Sequence, residues 1–396
     1  MQHESASGPL SGIKVLDVSI MAAGLWTAAL LGMLGADVLK VEPPDGDGTR
    51  WVEPTQHGMG TNFMSMNVNK KDIIIDLKAP DGKAAALALA KESDIFVQNF
   101  RVGVIERLGL DYEALRAVNP RLSYCAISGS GEVGPLAKAG CADYIMQAFS
   151  GFARSNGSPD EELEAFRFTG FLDLTTASVA TEAILAALLE RETTGLGQKV
   201  EISMLEAALE IQSTRSAEML GGGVVPKPLG SESAGLVPDR AFATLDNEIF
   251  VTVHNDSEWQ GFCKAIGKAE LATDARFLGN HARVRERAAL HALLEPVFKT
   301  RPAIWWLCTF ERHAVPCGIA HNFETFRHHH QVVANDMIAN VATRDWGTVS
   351  VAGVPWHFSG TPCVVTEPPR PGEHTDQVLT RLGLPGAAVR SAQEAA

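Results

Sequence analysis

The segment KVLDVSIMAAGLWTAALLGMLGADVLKVEPP, residues 14–44, decides the fold class. KVLDVS is a short apolar strand, GLWTAALLGMLGA (24–36) a helix of small residues, and DVLKVEPP (37–44) a second strand that ends in proline. Two strands joined by a helix make a β-α-β unit, whose crossover is right-handed and whose strands run parallel. The pattern returns in DIIIDLKAPDGKAAALALAKESDIFVQNF (72–100), where Pro80 suits a first helical turn and the next strand is Ile95–Gln98. After another helical stretch, LSYCAIS (122–128) adds a strand. Such alternation predicts an α/β fold with a mostly parallel sheet and helices on both faces.

Further along, TGFLDLTTASVATEAILAALLE (169–190) reads as a long helix. Ala180, Ala183, Ile184, Ala187 and Leu188 keep the i, i+3, i+4 spacing, and Leu185 and Leu189 make the other side apolar too, which predicts a largely buried element. Gly195 suits a left-handed cap at its end. KVEIS and MLEAALEIQ follow as strand and helix. The texture then changes to the Gly-, Pro- and Ser-rich EMLGGGVVPKPLGSESAGLVPDR. This divides the chain into a large-domain part at 1–217, a linker at 218–240, a smaller region at 241–325, and a return at 326–396.

Several classes are excluded by composition. A formal net charge of -13, with no dense cluster of Lys and Arg, argues against nucleic acid. The six cysteines have no CxxC spacing, which fits neither a zinc site nor a disulfide framework and points to a reducing cytoplasm. MQHESASGPLSG lacks a leader pattern, and the apolar stretches are interrupted by Gly, Asp or Thr short of a membrane span. A cytoplasmic protein without membrane or nucleic-acid partners is expected.

Candidate sites are few. Glu42 ends the second strand as the ribose-binding acid does in dinucleotide folds, but the turn SIMAAGLW has one glycine where the pyrophosphate cradle needs three. The run RHHHQ (327–331) places His328, His329 and His330 on diverging directions, so no metal site is expected. The glycines at 221–223 read as a hinge. Asp173 is the one carboxylate in an apolar setting. It fits first an N-cap bonded to the N–H of Thr175 or Thr176, since caps are common, and second a desolvated carboxylate at a helix N-terminus, poised as a nucleophile.

The order of segments resembles the family III CoA transferases, which include formyl-CoA and carnitine CoA-transferases, with α-methylacyl-CoA racemases as relatives. The resemblance runs through PLSGIKVLDVSIMAAGLWTAALLGMLGADVLKVEPPDGDGTR, NKKDIIIDLKAPDG, VQNFRVGVIERLGLDYEALRAVNPRLSYCAISGSGEVGP, FLDLTTA, RETTGLGQKVEISMLEAAL and a late GTP, and covers nearly the whole chain. It implies a Rossmann-like large domain built from both ends of the chain, a smaller α+β domain, and an interlinked homodimer.

The resemblance also implies chemistry. Asp173 takes the position of the catalytic aspartate, which forms an acyl anhydride and then an aspartyl-CoA thioester while CoA passes from an acyl-CoA to a carboxylic acid. Asp143 matches a second acidic position. Coenzyme A, a substrate and not a resident cofactor, is expected to meet Met21, Ala22, Ala23, Ile75, Lys78, Asn99, Phe100, Val104, Arg107 and Lys138. Three positions depart from the family pattern: Pro43 replaces a nucleotide-binding arginine, GSESAG (230–235) replaces a glycine run, and Ala142 replaces the racemase histidine. The departures count against formyl and oxalate as substrates and against the alternative, racemisation. A CoA-binding subunit that depends on a related partner chain is a further alternative, disfavoured by Asp173.

Overall fold

The computed structural model describes residues 7–159 and 165–384. Residues 1–6, read for a leader, and the Ala-rich end at 385–396 lie outside the described residues. Two compact units divide the rest: 7–153, 167–226 and 331–384 form the larger, while 154–159, 165–166 and 227–330 form the smaller.

The larger unit is built on six strands, β1 (Lys14–Asp17), β2 (Asp37–Glu42), β3 (Lys70–Ile74), β4 (Ile95–Gln98), β5 (Ser123–Ser128) and β6 (Lys199–Ser203). Their order across the sheet is β3-β2-β1-β4-β5-β6, all parallel, with Val15 opposite Val38 on one side and Ile95 on the other. The chain builds outward from β1 in one direction, then returns to β4 and builds in the other. This is the doubly wound Rossmann-like order.

Seven helices of this unit matter to the site: α1 (Ala22–Met33), α2 (Pro80–Lys91), α3 (Val104–Leu108), α4 (Tyr112–Val118), α5 (Asp143–Phe149), α6 (Phe171–Thr194) and α7 (Met204–Ile211). Alternation along each strand sends successive side chains to opposite faces. Val15, Ile95, Val97, Cys125 and Ile127 pack with Ala28 and Leu31 of α1 and Ala180, Ile184 and Leu188 of α6. Leu16, Phe96, Tyr124 and Ala126 face α2, α3, α4 and the C-terminal helix Thr375–Arg381. Pro80 opens α2 and Gly195 caps α6 in the left-handed region, as the sequence predicts.

Two expectations about α6 need correction. The helix runs unbroken for 24 residues and is long and apolar enough to cross a membrane, because its threonines do not interrupt it: Thr175, Thr176 and Thr181 return their hydroxyls to carbonyls four residues back. Nor is it buried all round. One face lies on α1 and the sheet, while Leu185 and Leu189 are exposed, Leu189 to 74%. Apolar character on all sides therefore marks two different surfaces.

Buried charge is concentrated on the β1–β2–β3 side. Lys70 pairs with Asp17 at 3.0 Å, Lys40 with Asp47 at 3.0 Å, and Arg50 with Glu42 at 2.8 Å, all six side chains essentially without solvent. Burial holds the Lys70 ammonium down at about 8, opposed by the charge of Asp17. Such pairs are retained at a desolvation cost, so removing one partner is far more damaging than removing both.

The smaller unit carries a three-stranded antiparallel sheet, with β8 (Glu248–Thr252) between β7 (Asp239–Ala243) and β9 (Cys317–Ile319). Its core stacks Phe242 on Phe298 and Phe262 on Phe310. The GSESAG loop belongs to this unit and is pinned: Glu232 pairs with Arg240 at 2.9 Å and Arg287 at 3.1 Å, and the Ser231 hydroxyl accepts from the Ala241 N–H. The glycines at 221–223, read as a hinge, instead end the helix Ser213–Leu220, their N–H groups returning to the carbonyls of Ala217, Glu218 and Met219.

Candidate active site

Parallel β-α units bring strand C-termini and helix N-termini to one edge of the sheet, and the crevice forms where the strand order reverses. Here that point lies between β1 and β4. Met21–Ala23 follow β1, Ile75 and Lys78 follow β3, Asn99 and Phe100 follow β4, and Asp143 follows β5. Asp173 joins them because α6 precedes β6 and begins at the same edge.

Asp173 is the third residue of α6, partly buried and not the N-cap. Gly170 occupies the cap position at φ 70°, and it has no side chain to satisfy the first N–H groups. Asp143 does so from 30 residues away: its Oδ2 accepts from the Leu172 N–H at 2.8 Å and from the Asp173 N–H at 3.0 Å. Gln147, one turn along α5, donates to the other Asp143 oxygen. Its amide also accepts from the Phe168 N–H at 3.1 Å and donates to the Phe168 carbonyl at 2.5 Å. Asp143, buried to 5% exposure, is thus a distant cap. A local N-cap of this kind contributes about 1 kcal/mol.

The Asp173 carboxylate responds to Asp143 on α5 and to the first turn of α1. Burial and the nearby charge of Asp143 push its pKa up to about 6, and a hydrogen bond from the Ala23 N–H restrains the rise. At neutral pH roughly nine-tenths of such a group is ionised, and it is a stronger nucleophile than an ordinary aspartate. Cys141, ahead of α5, is close enough to feel Asp173: burial and that charge raise its thiol, and Arg101 opposes them. Burial and charge therefore make the carboxylate more basic, and the backbone at Ala23 limits the rise.

The turn that delivers Ala23 is strained. Met21 adopts φ 59° and ψ -164°, a region that belongs to glycine and costs a larger residue about 1–3 kcal/mol. Ser19 before it is locked, its N–H and hydroxyl donating to Asp17 and its carbonyl accepting from Lys40. Ile20 is gripped by Asn99, whose Oδ1 accepts from the Ile20 N–H at 2.8 Å and whose Nδ2 donates to the Ile20 carbonyl at 2.5 Å. Gly24 is required, because a Cβ there would lie 2.3 Å from the Ser19 Cβ.

The other expected CoA contacts spread along the same edge. Ile75 is buried, whereas Lys78, Arg107 and Lys138 are exposed cations. Phe100 lines a cavity of about 300 Å³ with Gln98, Tyr112 and Tyr124. Val104 opens α3. Pro43 is exposed just past β2, and Glu42 beside it is consumed by Arg50, so no ribose acid is offered there. Ala142 is the exposed residue before α5. The histidines diverge: His328 faces Glu324 at 3.6 Å, while the His329 ring meets His321. Among the described residues no group of three or more His, Cys, Asp or Glu side chains converges on a metal position.

Sequence reading missed Gln147, Gly24 and Arg101. Gln147 had a signal, since it lies four residues after Asp143 on one helix face. Gly24 had none that distinguishes it from other helical glycines. Arg101 sets its guanidinium against Gly140, where a Cβ would approach it to 2.8 Å.

Residues 10–375 match the model of CoA-transferase family III. The chain belongs to that family. This family III enzyme is 32% identical over 388 residues to a succinate–glutarate CoA-transferase of Agrobacterium fabrum, covering 94% of this chain and 96% of the relative. It is 33% identical over 354 residues to an acetyl-CoA:oxalate CoA-transferase of Acetobacter aceti, covering 89% and 90%. The crystal structure of a CaiB/BaiF family protein from Brucella suis superposes with a TM-score of 0.85 at 31% identity, over 95% of this chain and 100% of that one. The family and fold class expected from sequence are those found, and the enzyme is a CoA-transferase.

Proposed function

We propose that this transferase moves CoA from an acyl-CoA donor to a carboxylic acid acceptor with Asp173 as the nucleophile. The observation that carries the reading is Asp173 itself, partly buried in the first turn of α6, with its own N–H and that of Leu172 donating to Asp143. A carboxylate oxygen of Asp173 attacks the thioester carbonyl, the C–S bond breaks, and CoA thiolate leaves an aspartyl anhydride. The thiolate then attacks the Asp173 carbonyl and releases the donor acid, giving an aspartyl-CoA thioester. The acceptor carboxylate attacks that thioester and expels the thiolate. Its attack on the acceptor carbonyl restores Asp173. Each thioester is replaced by another, so no external energy source enters.

Main-chain N–H groups suit this sequence, because negative charge develops on the carbonyl oxygen in every step. Lys78, Arg107 and Lys138 supply positive charge for CoA phosphates in an otherwise acidic chain. The name of the Agrobacterium relative supports a small dicarboxylic acceptor. Ala142 offers no group to shuttle an α-proton, which favours transfer over racemisation. Two chains act together as an interlinked homodimer in this reading, supported by the exposed Leu185, Leu189, Leu209 and Ile211 of α6 and α7. Six free cysteines support a cytoplasmic setting.

The test is intact-protein mass spectrometry after mixing with acyl-CoAs and quenching in hydroxylamine. An acyl-CoA-dependent hydroxamate at Asp173, absent from Asp173→Ala, is expected. Turnover in Asp173→Ala, or labelling elsewhere, overturns the proposal.

A further inference from the structure

The resemblance makes Asn99 a CoA contact, yet both ends of its carboxamide are already engaged on one residue of this chain. Oδ1 takes the Ile20 N–H and Nδ2 gives to the Ile20 carbonyl, across the point where the strand order reverses. The next residue, Met21, holds a backbone conformation that L side chains avoid, and 54% of it is exposed, so packing of its own side chain does not hold it there. Strained backbone persists only where its surroundings over-determine it. On the N-terminal side that work is done by Asp17, Lys40 and Ser19; at Ile20 it is done by Asn99. Two residues further on, Ala23 stands in the first turn of α1 and packs with Ala180 and Ile184 of α6.

We propose that Asn99 is a positioning residue: it clamps the Ile20 peptide units and so fixes the strained Met21 turn from which α1 starts, the helix that packs on the Asp173 helix α6. Gly24 is part of the same device, since its missing Cβ leaves room for Ser19 and, at 3.2 Å, the Asn99 carboxamide carbon. The proposal rests on Asp173 being the nucleophile only for its kinetic consequence. The clamp is a statement about the turn.

Asn99→Ala removes both bonds, and Asn99→Asp keeps the shape and the acceptor but loses the donor. Steady-state kinetics should show kcat reduced about tenfold or more in Asn99→Ala, less in Asn99→Asp, with the acyl-CoA KM within about threefold of the parent. The acid limb of the single-turnover acylation profile should move above about 6 as the Ala23 N–H is lost. Asp143 from α5 and Cys141 ahead of it are the titratable groups that bear on Asp173, and both are untouched. Crystal structures should show Met21 leaving positive φ and the Ala23 nitrogen drawing away from Asp173.

A raised acyl-CoA KM at unchanged kcat identifies Asn99 as a CoA ligand and overturns the proposal. So does a variant structure with the turn intact. If the parent enzyme forms no Asp173 hydroxamate, the functional reading fails instead, and the crystallographic comparison still decides the clamp. Should Asn99→Ala not fold, Asn99→Asp carries the same two readouts.

Discussion

Removing the charge of Asp173 should make the protein more stable. Asp173 has an ordinary value of 3.8 and is raised to about 6 by burial and by Asp143. At about 1.36 kcal/mol per pH unit, ionising it in the folded state costs up to about 3 kcal/mol at neutral pH, and residual solvent contact reduces this to roughly 1–3 kcal/mol. Asp173→Asn removes the charge, keeps an acceptor for the Ala23 N–H, and places an amide near Asp143. The sign follows from proton binding. Between pH 3.8 and about 6 the folded state holds a proton that the unfolded chain has released, so parent stability falls as pH rises through that window. The gain in Asp173→Asn is therefore fully present at pH 8 and gone near pH 3.5. Calorimetry at both pH values should show a midpoint raised by about 1–4 °C at pH 8 alone. An Asn variant no more stable than the parent at pH 8, or equally stabilised at both pH values, refutes the reasoning.

Asp143→Asn keeps an acceptor for the end of α6 but removes the charge, so the acid limb of acylation should move below about 6, read by pre-steady-state kinetics across pH. Asp143→Ala also loses the cap and should cost a further ~1 kcal/mol in urea unfolding. Gly24→Ala drives a Cβ into Ser19 and should destabilise by about 1–3 kcal/mol while lowering kcat, measured by denaturation and turnover together. Arg50→Met strands Glu42 beside Asp72 in the interior and should cost about 3–5 kcal/mol, which Glu42→Gln in the same chain partly restores in a double-mutant cycle.

The legible part of this molecule is its local order. Alternating strand and helix patterns from KVLDVS onward give the parallel sheet, and Pro80 and Gly195 mark helix ends through fixed backbone preferences. What escaped is non-local. Asp173 reads locally as a cap, yet α6 is capped by Asp143, and no helix rule connects residues 30 apart. Asn99 can be matched to a family position from sequence, but its bonds to Ile20 exist only once β1 and β4 lie side by side. Leu185 and Leu189 show the limit of periodicity, which reports apolar faces without saying what covers them.

The candidate site leans on the main chain: the backbone at Ala23 eases the ionisation of Asp173, and the N–H groups of Leu172 and Asp173 hold Asp143. Every amino acid except proline carries that donor. The Ala23 side chain is locked in the core, so within this turn only those of Met21 and Ala22, exposed and half-buried, can vary without disturbing the packing beneath. The scaffold separates an inheritable reaction from a replaceable preference, and directed evolution of acceptor choice has its natural starting positions there.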